Sequence, residues 1–102
     1  GLPYGVRKNV ELARALCTAP KLLLLDEPSS GLTNEETNDL GFWIKDIQSL
    51  LGVTIIMIEH DMSFVNKVSD RILALNYGEI LASGLPSEIK ENADVKQAYM
   101  GE

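Results

Sequence analysis

Residues Lys21-Leu22-Leu23-Leu24-Leu25-Asp26-Glu27-Pro28 constrain this chain more than any other stretch. Four consecutive leucines run straight into two carboxylates and a proline. A run this short offers no helical stripe and reads as a strand buried on both faces, the arrangement of parallel sheets. Such sheets belong to α/β proteins, whose ligands bind beyond the carboxyl ends of the strands. Asp26 and Glu27 stand at that end. Pro28 cannot donate to a sheet ladder, so the strand is expected to stop before it. The plainer alternative is that Asp-Glu-Pro only opens a loop.

A second apolar run, Val53 to Ile58, is rich in β-branched residues and ends in Glu59-His60-Asp61. Between the two runs, Thr33 and Glu36 have the spacing of a capping box at a helix start. The helix they open carries Leu40, Trp43, Ile44, Ile47, Leu50 and Leu51 at helical spacing, which predicts that all six, Trp43 included, face the core. Phe42 falls off that stripe and is expected to face a partner or a part of the protein not in this chain. Gly52 suits the position just past the helix end. Strand, helix and strand of these lengths make a βαβ unit with parallel strands and a right-handed crossover. An earlier helix is predicted from about Val6 to Cys17, after a loop over Gly1 to Gly5. Its inward stripe is Val10, Ala13, Leu16 and Cys17, with Leu12 at the margin, and Arg7, Glu11 and Arg14 lie on the solvated face.

Beyond the second run the pattern shortens. Asp61 can cap a helix carrying Met62, Val65 and Val68. Arg71 to Leu75 and Glu79 to Ser83 read as a hairpin around Asn76-Tyr77-Gly78, with Gly78 at a position needing positive φ. Pro86 suits the first position of a helix reaching about Glu91, and a last helix is expected from about Asp94 to Met100. The fold class is therefore α/β: a parallel βαβ core, a hairpin and short C-terminal helices.

Length, charge and cysteine narrow the function. The 102 residues suffice for one small domain, and the expected organisation is a single unit over 1–102. A net charge of -6 argues against a general nucleic-acid surface. Cys17 is the only cysteine, which excludes an internal disulfide and fits a reducing compartment. No apolar run approaches the roughly 18 residues of a membrane span. The chain opens on Gly1 rather than Met, so the expectation is a chain truncated or processed at its start.

Three polar stations are expected along one sheet edge: Asp26-Glu27, the loop Ser29 to Thr33, and His60. Phosphate chemistry uses such parts. A carboxylate holds Mg²⁺ through its waters, a second orients or deprotonates an attacking water, and an imidazole contacts the transferring phosphoryl group. Each alone is weak, since a lone histidine after a strand is more often structural. The carboxylate pair and the histidine on successive parallel strands are more specific.

These residues resemble the ATP-binding cassette (ABC) ATPases. Leu22–Leu25 followed by Asp26-Glu27-Pro28 is similar to their Walker B motif, Ser30-Gly31-Leu32-Thr33 to the D-loop, and His60 to the switch histidine. Leu2-Pro3-Tyr4-Gly5-Val6 falls where the family carries its signature Leu-Ser-Gly-Gly-Gln, followed by a helix ending Ala13-Arg14-Ala15-Leu16. The resemblance covers the whole chain and implies the C-terminal part of a P-loop NTPase-like domain. It implies that Asp26 holds Mg²⁺ through water, that Glu27 is the general base and that His60 contacts the γ-phosphate. Pro3, Tyr4 and Gly5 would then meet ATP on an opposite cassette, with helix N–H groups aimed at phosphate. Ser30 and Gly31, with Leu32 and Thr33, would communicate across that dimer.

The departures from the family pattern carry information. Pro3 replaces the signature serine and removes a hydroxyl and an N–H; Tyr4 replaces a glycine, Val6 a glutamine, and Thr33 the D-loop aspartate. The Leu-Pro-Tyr-Gly variant and the ending Gln97-Ala98-Tyr99-Met100-Gly101-Glu102 resemble the ATPase subunits of branched-chain amino-acid importers and their amide and urea relatives. This resemblance implies ATP and Mg²⁺ as cofactors, and a second ATPase subunit and transmembrane permease subunits as partners, at the cytoplasmic face of the cell membrane. No Gly-x-x-x-x-Gly-Lys-Ser/Thr phosphate cradle occurs in the sequence, so the chain by itself is expected to be inactive. Removing the family's P-loop strand would leave an open edge beside Val53–Ile58, from which self-association is expected. Two alternatives stand beside the transport ATPase: a non-catalytic module that folds and self-associates, and a DNA-repair or chromosome ATPase fragment. The signature variant, the tail and the acidic charge argue against the last.

Overall fold

The structure, a computed structural model, describes residues 3–100, save the side chain of Met100. Gly1, Leu2 of the signature-like stretch, and Gly101 and Glu102 of the tail lie outside the described residues. The chain divides into two compact units, Gly1–Glu59 and His60–Glu102.

In the first unit, helix α1 (Tyr4–Leu16) leads to strand β1 (Leu22–Asp26), helix α2 (Asn34–Leu51) and strand β2 (Thr54–Ile58). The strands pair in parallel, with Leu22 opposite Thr54 and Asp26 opposite Ile58, as the βαβ pattern requires. The core of this unit is Leu23, Ile47 and Val53, with Leu12, Ala15, Leu16, Leu25 and Ile55 packed against it. Helices α1 and α2 thus cover the same face of the sheet.

That packing corrects three expectations. The leucine strand is not buried on both faces among the described residues. Leu22, Leu24, Ile56 and Ile58 alternate onto the second face and are about half or more exposed, with Leu24 at 68% and Ile58 at 65%. Continuous apolarity says that both faces seek cover, while burial also requires an element to supply it. The inward face of α1 is Leu12, Ala15 and Leu16, at i, i+3 and i+4; Val10, Ala13 and Cys17 are exposed. The helix also begins at Tyr4, two residues before the expected start. In α2 the buried residues are Leu40, Gly41, Ile44 and Ile47, whereas Trp43, Leu50 and Leu51 are 54%, 76% and 62% exposed. The apolar arc of α2 is wider than the face the unit covers. Phe42 is exposed at 73%, as its place off the stripe predicts.

The ends of α2 follow the sequence signals closely. The Thr33 hydroxyl accepts from the Glu36 backbone N–H at 3.1 Å, and the Glu36 carboxylate accepts from the Thr33 N–H at 2.9 Å. Gly52 closes the helix at φ +66, a left-handed conformation that costs glycine little.

The second unit holds helix α3 (Met62–Val68), strands β3 (Ile72–Asn76) and β4 (Glu79–Gly84), and helices α4 (Pro86–Glu91) and α5 (Ala93–Met100). Ala74, Ile89 and Val95 form its core, with Met62, Ile72, Leu81 and Ala82 around them. The antiparallel hairpin turns on two residues of positive φ, Tyr77 and Gly78. A register shift after Ala74 leaves Leu81 without a partner, because Ala74 faces Ala82 while Leu75 faces Ile80. Consecutive residues Leu81 and Ala82 can then both pack on the core, which strict alternation would forbid.

Candidate functional site

The carboxyl end of the two-stranded parallel sheet collects most of the sequence-derived candidates. Asp26 is the last residue of β1 and is exposed. Glu27 follows in the left-handed region at φ +47, a conformation that costs a residue with a Cβ about 1–2 kcal/mol. Two backbone hydrogen bonds hold it there: its N–H donates to the Ile58 carbonyl at 2.7 Å, and its carbonyl accepts from the Ser30 N–H at 3.1 Å. The first bond extends the sheet ladder by one residue, and the second starts the loop. The exposed Glu27 carboxylate is thereby placed by a reversal of the backbone at the strand end. Uncommon backbone conformations held by their surroundings concentrate at functional positions.

The loop that follows is anchored from both strands. Pro28 and Ser29 are buried, and the Ser29 N–H donates to the Glu59 carboxylate at 2.8 Å. The Ser29 carbonyl then accepts from Leu32 N–H at 3.2 Å. Gly31 sits at φ +77 with the Tyr4 ring against it, since a Cβ on Gly31 would lie 2.7 Å from Tyr4 Cε1. Tyr4 also carries the Lys8 ammonium 5.5 Å from its ring centroid.

At the start of α1, Pro3 stands at the cap position with φ -54 and ψ 149, and no side chain caps the helix. The Pro3 carbonyl accepts from Arg7 N–H at 3.0 Å. Gly5 is buried, and a Cβ there would lie 1.6 Å from Glu36 Oε2, so the Glu36 carboxylate occupies the space a side chain would need. Pro3, Tyr4, Gly5, Asp26, Glu27, Ser30 and Gly31 therefore all lie in the first unit. His60 is the first residue of the second unit and is exposed. The next residue, Asp61, caps α3 by accepting from Phe64 N–H at 3.1 Å.

The donor set suits Mg²⁺ bound through water. Asp26 would offer one exposed carboxylate to the waters of such an ion, and no group of three metal-binding side chains occurs among the described residues. Magnesium characteristically keeps several waters and takes its other ligands from phosphates.

Three contacts were not foreseen from the sequence: Glu59 on Ser29, Tyr4 on Gly31, and Glu36 on Gly5. Glu59 had one signal, a carboxylate at a strand end directly before His60. Glu36 was recognised only as half of a capping box. Its second contact, like that of Tyr4, depends on which distant segments meet.

No family model matches the chain. It is 46% identical over 101 residues to the high-affinity branched-chain amino acid transport ATP-binding protein BraF of Pseudomonas aeruginosa, covering 99% of this chain and 40% of BraF. It is 45% identical to LivG, of the same description, from Escherichia coli. The sulfate/thiosulfate import ATP-binding protein CysA of Neisseria meningitidis is 43% identical over 104 residues, with 29% of CysA covered. The chain thus spans about 40% of the length of the BraF and LivG relatives it matches. Among solved structures, the ADP conformation of MJ1267, an ATP-binding cassette of an ABC transporter, superposes with TM-score 0.87 at 32% identity, covering 99% of this chain and 41% of that one. A nucleotide-free ABC-transporter cassette gives 0.86 at 30% identity, with 99% and 41% covered. Whole-chain similarity, the parallel βαβ core and the order of motifs agree: over its whole length the chain is similar to the C-terminal part of ABC-transporter ATP-binding cassettes and shares their fold.

Proposed function

We propose that this chain is the catalytic-edge portion of an ABC ATPase subunit which, with the rest of its cassette, hydrolyses ATP to drive import of branched-chain amino acids or related amides. The observation that carries the reading is Glu27, an exposed carboxylate held at φ +47 directly after the metal-suited Asp26. In this reading Asp26 would hold Mg²⁺ through water, and the chemistry that ion would supply is neutralisation of phosphate charge. Glu27 accepts the proton of the attacking water, and His60 donates a hydrogen bond to the γ-phosphate. Pro3, Tyr4, Gly5, Ser30 and Gly31 form the surface offered to ATP on a second ATPase subunit. Permease subunits complete the assembly at the cytoplasmic face of the cell membrane, and nucleic acid is not a partner. Similarity to BraF and LivG supports the branched-chain amino-acid class.

The test is a chimera in which this chain replaces the matching part of BraF. Glu27→Gln is expected to abolish turnover while ATP binding survives, because Glu27 acts on the water, and His60→Ala is expected to lower turnover. Turnover at the parental rate in both variants overturns the assignment.

A second reading concerns the chain alone: a non-catalytic module that self-associates. The uncovered sheet face, with Leu24 and Ile58 about two-thirds exposed, and the two open strand edges favour it.

A further inference from the structure

The signature-like start of α1 meets the D-loop-like turn after β1 at one place and the first turn of α2 at another, and neither contact is a backbone hydrogen bond. The Tyr4 ring lies on Gly31, where any side chain at position 31 would collide with it. Glu36, half-buried, divides its carboxylate: Oε1 accepts from the Thr33 N–H, and Oε2 lies against the buried Gly5. Two of the residues that depart from the family pattern therefore belong to one arrangement. Tyr4 supplies the ring, and Thr33 supplies the cap that orients Glu36. We propose, resting on the catalytic reading above for what the two loops do, that Tyr4 and Glu36 are positioning residues that lock the start of α1 to the loop Ser30–Thr33, so that the two move as one body.

The lock has a mechanical logic. Gly31 is free to take positive φ because it lacks a Cβ, and that same absence would leave its backbone loosely defined. The Tyr4 ring fills the space and removes that looseness. On the other side, one carboxylate satisfies the first turn of α2 and fills the gap over Gly5. A change at either residue is therefore felt in a segment to which it is not hydrogen-bonded.

Amide hydrogen exchange of the chain, measured without nucleotide, tests this apart from whether Glu27 and His60 catalyse. The Ser30 and Leu32 N–H groups donate to Glu27 and Ser29 and report on the loop, and the Arg7 N–H reports on the start of α1. Tyr4→Gly is expected to speed exchange of Ser30 and Leu32 about tenfold, while Leu25 and Ile56 in the sheet stay within about twofold. Tyr4→Phe, which keeps the ring, is expected to match the parent. Glu36→Ala is expected to speed exchange of Arg7, across the contact, about threefold or more. Loop amides unmoved by Tyr4→Gly, or Arg7 unmoved by Glu36→Ala, overturn the lock. Equal acceleration at Leu25 and Ile56 overturns it too, since the residues would then stabilise the fold without positioning the loop. If Tyr4→Gly does not fold, the comparison of Glu36→Ala with Tyr4→Phe still decides.

Discussion

Replacing Glu27 separately by alanine and by glycine separates the backbone shape at the end of β1 from the chemistry of the side chain. Both substitutions delete the carboxylate and every contact it makes, so those losses cancel between them. Glu27 is exposed, so no burial difference intrudes. What remains is the backbone at φ +47. Alanine carries the full left-handed penalty of about 1–2 kcal/mol, which glycine escapes. Glycine in turn gains about 0.4–1 kcal/mol of unfolded-state entropy, which opposes folding. The balance favours Glu27→Gly over Glu27→Ala by about 0.5–1 kcal/mol, the reverse of their order at ordinary strand or helix positions. Ala19, at φ +50 after α1, gives an internal standard, and Ala19→Gly is expected to stabilise by a similar amount. Urea titrations at matched slope would resolve the difference, and thermal midpoints would move by about 4–8 °C per kcal/mol if the chain unfolds in one step. Glu27→Ala equal to or more stable than Glu27→Gly, with Ala19→Gly behaving as expected, refutes the left-handed placement of residue 27.

The chain alone is expected to release no phosphate from Mg·ATP, because its sequence lacks the phosphate cradle; Glu27-dependent turnover in a steady-state assay would contradict this. In the BraF chimera, Pro3→Ser is expected to change ATP-driven dimer affinity modestly, since a new hydroxyl adds at most about 1.5–3 kcal/mol toward a charged acceptor. A gain beyond roughly a hundredfold, about 2.7 kcal/mol, would show that the proline had disabled the site. Sedimentation equilibrium of the chain is expected to reveal concentration-dependent association through the uncovered strands, and a strictly monomeric species at every concentration would reject it.

What could be read in the sequence was local. The Thr33–Glu36 box, the Gly52 terminus, the Asp61 cap and the turn at Gly78 each depend on a few neighbouring residues, and each stands in the structure as its spacing predicts. The parallel pairing followed because two short apolar runs flanked one helix. Burial was less legible. Periodicity marks the faces that seek cover, and it does so equally whether or not the covering element is in the chain. Leu24, Ile56, Ile58, Trp43 and Leu50 are apolar for reasons consistent with a chain spanning about 40% of its relatives. At the site, Asp26 and Glu27 could be found from their place after the leucines. The contacts of Glu59 with Ser29, Tyr4 with Gly31 and Glu36 with Gly5 join segments 27 to 31 residues apart, beyond any pattern along the chain.

The irregularity in the hairpin makes position 81 unlike other strand positions. Losing one residue from a regular strand would exchange inside for outside along everything that follows. Leu81 is the supernumerary residue between two partnered ones, so its deletion would straighten the ladder and leave Ala74 facing Ala82 and Leu75 facing Ile80. The cost would be one leucine side chain withdrawn from the edge of the core, within the roughly 1.5–3 kcal/mol of a fully buried one. Length variation by a single residue can thus enter this unit at the hairpin without rewriting the reading frame of its surface.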